Sequence, residues 1–309
     1  MLKIFFAGGD GFAVPILEKL MAAPDIKIEL VITRPAKPAG RGLKPEPNPV
    51  LAIARRLHLP VIMVDKKADW SKVNKEIKNL KPDYCVVAAL GRIIPATTLE
   101  LLPHKFINIH PSLLPKYRGP SPIESSLLDG LKATGVSFMI LSAEMDAGPI
   151  LRQYQLGIKH GTDALELSEE LSELAASHMV EVLEDYPRVT PVPQKDAQAT
   201  YTRIITKSDG KIDLEKDTAA DTNRKVKAYR PWPGVTIELG DTTLKLIKTH
   251  VDGTKLVIDA IQPAGKRVLD AREFANGYRK LLTKFPPWVT INPLRMKSAK
   301  DLLPKDKRK

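Results

Sequence analysis

Short apolar runs alternate with amphipathic helical stretches through the first half of the chain, and no other feature restricts its fold as much. LKIFFAG precedes AVPILEKLMAA, IKIELVIT precedes VLAIARRLH, LPVIMV precedes WSKVNKEIKNL, and YCVVAAL closes the series. A run of four to eight Val-, Ile- or Phe-rich residues reads as a buried strand, and apolar residues three and four apart mark one face of a helix. Strands separated by helices pair in parallel, because each helix carries the chain back over the sheet and covers a face as it does so. The chain is therefore expected to open with an α/β domain, a mostly parallel sheet with helices on both faces. FINIH and VSFMIL add two strands, and a helical pattern runs from Ala164 to Leu183.

Tyr186 to Thr200, YPRVTPVPQKDAQAT, holds three prolines and little apolar periodicity, which reads as a linker. Beyond it come a helical stretch, Ala219 to Ala228, and the short β-like runs VTIEL, TLKLIK and KLVIDAI. These predict a smaller, mostly β, OB-like barrel. The expected division is 1–185, a linker 186–200, and 201–309. A chain of 309 residues, 43% of them hydrophobic, can fill two such cores. No stretch approaches the roughly 18 apolar residues of a membrane span, and the N-terminus lacks a secretory apolar segment. The lone Cys85 lies in an apolar strand pattern and reads as a buried thiol, so a reducing cytoplasm fits. Charge is unevenly spread within the net +12: residues 1–200 carry 24 basic and 23 acidic side chains, residues 201–309 carry 24 and 13. Such a basic second part suits either a polyanionic partner or a solvated basic face, and the ending PKDKRK reads as a basic tail without a fold of its own.

The chemistry-bearing residues gather around FINIHPSLLP. Side chains alternate along a strand, so Asn108 and His110 share one face and Ile107 and Ile109 the other. Pro111 ends the strand, which puts an amide and an imidazole at the carboxyl end, where α/β sheets place their sites. Each also has an ordinary use there, closing a loop hydrogen bond. Ser121, Pro122 and Glu124 then fit the start of a helix. Asp146 falls in a turn after VSFMIL, a position that turn aspartates often take for geometry alone. Together Asn108, His110 and Asp146 suit transfer of a one-carbon acyl group to an amine: a donor for the oxyanion, a base for the amine proton, and a carboxylate to tune it. Gly8, Gly9 and Gly11 follow the first strand but do not spell G-x-G-x-x-G, and the second strand ends in Thr33 and Arg34 without an acidic residue for a ribose, so the glycines read as a tight turn. The sequence holds no G-x-S-x-G elbow, Walker loop or cysteine pair.

NIHPSLLPKYRGPSPI, MDAGPIL, FAVPILEKL, PAGRG, YRPWPG and IQPAGK together resemble the methionyl-tRNA formyltransferase family, with matches from the first strand to about Gly277. The resemblance implies a Rossmann-like catalytic domain, 10-formyltetrahydrofolate as formyl donor, initiator methionyl-tRNA as acceptor, no metal, and a monomer without a membrane. It implies that Asn108, His110 and Asp146 are the catalytic trio. It implies that Leu90, Gly91, Arg92, Ile93 and Ile94, with Ser112, Leu113, Leu114, Pro115 and the Asp146 loop, face the folate. Phe12 and the loop Arg34 to Pro45, with Arg41, Gly42 and Lys44, match the part that meets the methionyl-tRNA. Three departures stand out: GGDGFA replaces the usual G-T-P-[DE]-F-A, Leu90 replaces a frequent Tyr, and the C-terminal part is short between Lys248 and Ile261, with no counterpart for the tail from Leu281. An amino-sugar nucleotide formyltransferase and a noncatalytic tRNA-binding protein on the same scaffold are the competing readings. The basic PAGRG loop and second part weigh against the first, and retention of all three polar residues against the second.

Overall fold

The structure, a computed structural model, describes residues 1–39 and 44–291. In chain order the first elements are β1 (Leu2–Gly8), α1 (Ala13–Ala22), β2 (Ile26–Thr33), β3 (Lys37–Ala39), β4 (Lys44–Glu46), α2 (Pro49–Arg56), β5 (Val61–Met63), α3 (Trp70–Leu80) and β6 (Tyr84–Ala88). They continue with α4 (Ala96–Leu99), β7 (Phe106–His110), α5 (Pro122–Leu128), β8 (Ala133–Ile140), β9 (Ile150–Gly157) and α6 (Ala164–Asp185). One seven-stranded sheet has the order β5-β2-β1-β6-β7-β8-β9. Pairing from β5 to β7 is parallel, and β8 and β9 extend the edge antiparallel. The helical periods read from the sequence do their expected work: α3 turns Trp70, Val73 and Ile77 onto the sheet, where they pack with Phe5, Ala7, Leu30, Ile32, Cys85, Val87 and Phe106. Ile4 and Phe6, on the other face of β1, are fully buried too, and α1 packs on that strand and on β2. Cys85 is the buried thiol its surroundings predicted, its pKa pushed far up by desolvation.

The chain steps outward from β1 to β2 to β5, then crosses back to β6 on the other side of β1. That reversal opens a crevice between the carboxyl ends of β1 and β6, the place where an open α/β sheet takes its ligand.

Two compact units result. One comprises Met1–Pro122, Ala133–Ile158 and Ser168–Thr202; the other comprises Ile123–Lys132, Lys159–Leu167 and the chain from Arg203. The second holds α7 (Ala219–Ala228), β10 (Val235–Leu239), β11 (Thr242–Asp252), β12 (Lys255–Pro263), β13 (Leu269–Asp270), α8 (Ala271–Gly277), α9 (Arg279–Leu282) and β14 (Val289–Ile291). Its sheet runs β10-β11-β12-β13 antiparallel, with β14 parallel to the Leu256–Ile258 end of β12. Among the described residues no strand pair closes this smaller sheet into a barrel. α7 begins at Thr218, whose hydroxyl accepts the Asp221 N–H, and packs on β11 and β12.

Residues 186–200, expected to be a bare linker, are part of the first unit. Val192 exchanges both backbone hydrogen bonds with Ile150 at 2.8 Å, and Thr200 accepts the Arg118 N–H at 2.9 Å. The prolines keep the segment from forming an α-helix, leaving single 3-10 turns at Tyr186–Arg188 and Asp196–Gln198, and the chain between and after them bonds to Ile150 and Arg118.

Candidate active site

Phe106 is sealed in the core beneath α3, and period-two alternation carries the same sheet face outward through Asn108 to His110. The register confirms it, with Asn108 opposite Val87 and Met139, and His110 opposite Ser137. His110 is 4% exposed. Its Nε2 lies 2.8 Å from the Tyr117 carbonyl, which fixes that nitrogen as the N–H and leaves Nδ1 as the acceptor of the neutral ring. Nδ1 faces Asp146 Oδ2 at 3.7 Å, and that same oxygen accepts the Gly119 N–H at 2.8 Å. Asn108 is half-buried, and its side chain makes no hydrogen bond among the described residues.

Asp146 reaches His110 by a route the sequence did not show. Because β8 is antiparallel to β7, Ser137 lies opposite His110 and Ile140 opposite Ile107, so the chain leaves β8 away from the histidine. Three strand residues correspond to about 10 Å, and the residues from 141 to 146 can return at most about 20 Å of chain. The return is anchored where Gly148 passes Ile140: a β-carbon on Gly148 would sit 1.8 Å from the Ile140 carbonyl oxygen, so no side chain fits. Tyr117 (φ 61°) and Asp146 (φ 51°) both adopt the left-handed region, a strained choice for non-glycine residues that clusters at functional sites.

The loop between β7 and α5 is built on Ser137. Its buried hydroxyl donates to the Ser112 carbonyl at 2.6 Å and accepts from the Leu114 N–H at 3.0 Å and Gln153 Nε2 at 2.7 Å. Gln153 also donates to the Leu114 carbonyl at 2.9 Å, and Ser112 donates to the Lys116 carbonyl at 2.7 Å. Ser112 and Leu114 thus turn inward as framework, while Leu113 and Pro115 keep partial exposure.

At the crevice, Leu90 is buried in the core and Gly91 is left-handed at φ 65°. Arg92 pairs with Asp65 at 2.5 Å and Ile93 is 86% exposed. Among the described residues the backbone groups of Arg92, Ile93 and Ile94 bond to no other backbone group, so this strip offers donors, acceptors and one unpacked apolar side chain to a ligand. On the β1 side Asp10 Oδ1 accepts the Phe12 N–H at 3.1 Å, and the buried Ser172 hydroxyl holds the Phe12 carbonyl at 2.6 Å. Phe12 itself is buried. The Arg34 guanidinium packs against Gly9 and Gly91: a β-carbon on Gly9 would lie 2.6 Å from Arg34 Nε, and one on Gly91 3.0 Å from Nη1. A side chain at position 9 would require that guanidinium to move. Arg41 and Gly42 lie outside the described residues, as does the Lys44 side chain. Among the described residues no group of three or more His, Cys, Asp or Glu is placed to hold a metal.

The family described as Formyl transferase matches residues 2–183, and its C-terminal domain matches residues 204–255. The chain belongs to the formyl transferase family. Its members transfer formyl groups from folate-derived donors. A methionyl-tRNA formyltransferase of Roseiflexus castenholzii is 38% identical over 90% of this chain and 96% of its own length, and one of Thermus thermophilus is 33% identical over 90% and 96%. Among solved structures, the N-formyltransferase of Helicobacter canadensis, in complex with folinic acid and dTDP-3-aminofucose, superposes with a TM-score of 0.61 over 82% of this chain and 90% of its own. At 20% identity that likeness bears on the formyl transferase fold alone. Sequence reasoning singled out Asn108, His110 and Asp146, and the structure brings the His110 and Asp146 side chains to 3.7 Å of each other. That reasoning missed Ser137, Gln153, Arg118 and Gln194, whose signal is only that polar residues sit where strands or loops must close.

Proposed function

We propose that this formyl transferase moves the formyl group of 10-formyltetrahydrofolate to the amino group of methionine on initiator tRNA. The observation that carries the reading is identity of 38% over nearly the full length of a protein bearing that name, joined to a His–Asp pair beside an unpartnered amide. The donor supplies the formyl carbon: the amine nitrogen bonds to it, the carbon's bond to N10 of the folate then breaks, and tetrahydrofolate leaves with the proton that the amine gave up to His110. His110 Nδ1, with Nε2 held by Tyr117, takes the proton of the attacking amine. Asp146 steadies the charge that proton brings, and the free Asn108 amide donates toward the oxygen where negative charge develops. The Leu90–Ile94 strip takes the donor's heterocycle through its unpaired backbone groups and Ile93, with Leu113 and Pro115 alongside.

On this reading residues 1–185 do the chemistry, and the basic part from 201 onward supplies affinity for the tRNA backbone. The PAGRG loop, with Arg41, Gly42 and Lys44, meets the acceptor end, and Phe12 backs the methionyl side. The chain works as a cytoplasmic monomer. No helix among the described residues is long and apolar enough to cross a membrane. The test is a formylation assay with 10-formyltetrahydrofolate and three acceptors: methionyl initiator tRNA, an amino-sugar nucleotide and glycinamide ribonucleotide. Preference for the tRNA by orders of magnitude in kcat/KM is expected. Preference for either small amine overturns the acceptor assignment.

A further inference from the structure

The residues that hold the His110–Asp146 pair are themselves held by one side chain that no motif marks. Gln194 donates both amide hydrogens, to the carbonyl of Asp146 at 2.8 Å and to that of Gly148 at 2.7 Å. Its Oε1 accepts from Arg118 Nε at 3.0 Å and Nη2 at 2.9 Å. Every donor of that amide is used, and its oxygen is used twice. The Arg118 side chain has no exposed surface and reaches on to Asp196 at 2.8 Å and the Tyr201 hydroxyl at 3.3 Å. Its backbone neighbours are the two groups that touch the pair: the Tyr117 carbonyl facing His110 Nε2, and the Gly119 N–H given to Asp146. One amide therefore ties the loop that fixes the histidine to the turn that fixes the carboxylate.

Both tied positions are left-handed at non-glycine residues, conformations that persist only when surrounding bonds over-determine them. The 3.7 Å between Nδ1 and Oδ2 already exceeds a hydrogen bond, so a small shift of either loop changes how strongly the carboxylate acts on the ring. We infer that Gln194, backed by Arg118, is a positioning residue for formyl transfer, setting the His110–Asp146 geometry without touching a substrate. This rests on His110 and Asp146 being the acid–base pair. Gln194→Glu is the informative variant because it keeps the size and the acceptors facing Arg118 while losing both donors.

The experiment measures formylation by the full-length chain and by Gln194→Ala, Gln194→Glu, Arg118→Lys, Asp146→Asn and the Gln194→Ala/Asp146→Asn double variant, with melting curves confirming that each is folded. A misplacement near 1 Å costs up to about a hundredfold, so Gln194→Ala and Gln194→Glu should each lower kcat by about tenfold or more. KM for tRNA and for donor should stay close to the parent values. Their pH–rate profiles should move in the same sense as that of Asp146→Asn, and Arg118→Lys, which keeps charge but loses the fork, should fall between them and the parent. Acting through Asp146, Gln194→Ala should add little to Asp146→Asn in the double variant. Losses that multiply in the double variant, or a Gln194→Glu chain with parental kcat and pH profile, overturn the inference while leaving the catalytic pair in place. If Asp146→Asn itself turns over like the parent, the pair is misassigned and the role of Gln194 falls with it.

Discussion

Replacing Ser137 with alanine tests how the site loop is held, because one hydroxyl closes three hydrogen bonds in a place with no solvent exposure. Gln153 keeps its bond to the Leu114 carbonyl. The Leu114 N–H and the Ser112 carbonyl each lose their bond to the hydroxyl. An unsatisfied buried polar group costs about 1–3 kcal/mol, so two of them destabilise by about 2–6 kcal/mol. For a unit of this size each kcal/mol moves the midpoint by about 2–4 °C, and even the low end shifts the first unit's transition by about 4–8 °C. The loop begins at His110, so turnover should fall as well, though by less than in His110→Ala, because Tyr117 still holds the imidazole. Differential scanning calorimetry of the two chains, with formylation rates at 25 °C, measures both. A midpoint lowered by less than about 1 °C with parental turnover would show that the loop does not depend on this hydroxyl.

His110→Ala and Asp146→Asn should each lower kcat by about a hundredfold or more with the fold intact, the scale of lost acid–base help, measured on purified protein with saturating donor and tRNA. 10-Formyltetrahydrofolate should raise the melting temperature in a saturable way, whereas NAD and NADP should not, since the β1 turn carries no dinucleotide fingerprint. Asp209, held below the usual carboxylate range first by the Arg203 guanidinium, contributes stability that is complete above its unfolded pKa of about 4 and is lost as pH falls through the lower folded value. Urea midpoints of the second unit should therefore drop on acidification below that range, and Asp209→Asn should flatten the drop. Removing several Lys and Arg between Arg224 and Lys309 should weaken tRNA binding and reduce its salt slope, whereas Arg41→Ala should slow formylation at saturating tRNA and change the slope by about one at most.

The fold was legible wherever local periodicity and burial agreed. α7 occupies the stretch its pattern predicted, and β1, β2 and β6 are the apolar runs that a two-sided cover requires. Asn108 and His110 were legible because alternation alone puts them on one face. The direction of β8 was not: VSFMIL is apolar on both faces, and a strand buried on both sides reads alike in either direction. β9, ILRQYQLG, escaped notice because it lies at the sheet edge with Arg152 and Gln153 exposed, so its alternation is weak. The role of residues 186–200 was hidden for a different reason. Prolines report what a segment cannot be, a continuous α-helix, whereas its place is decided by bonds from Arg118 and Ile150, which are distant in sequence.

Arg34 gives the β1 turn a property that matters to anyone recombining this chain with its relatives. Its guanidinium fills the volume that a side chain at position 9 would need, so a substitution there must move Arg34, 25 residues along the chain. Grafting a threonine at Gly9 alone displaces the guanidinium from the turn and from Gly91, against which it also packs. The same graft with Arg34→Ala has room, so the turn and the end of β2 are best exchanged together.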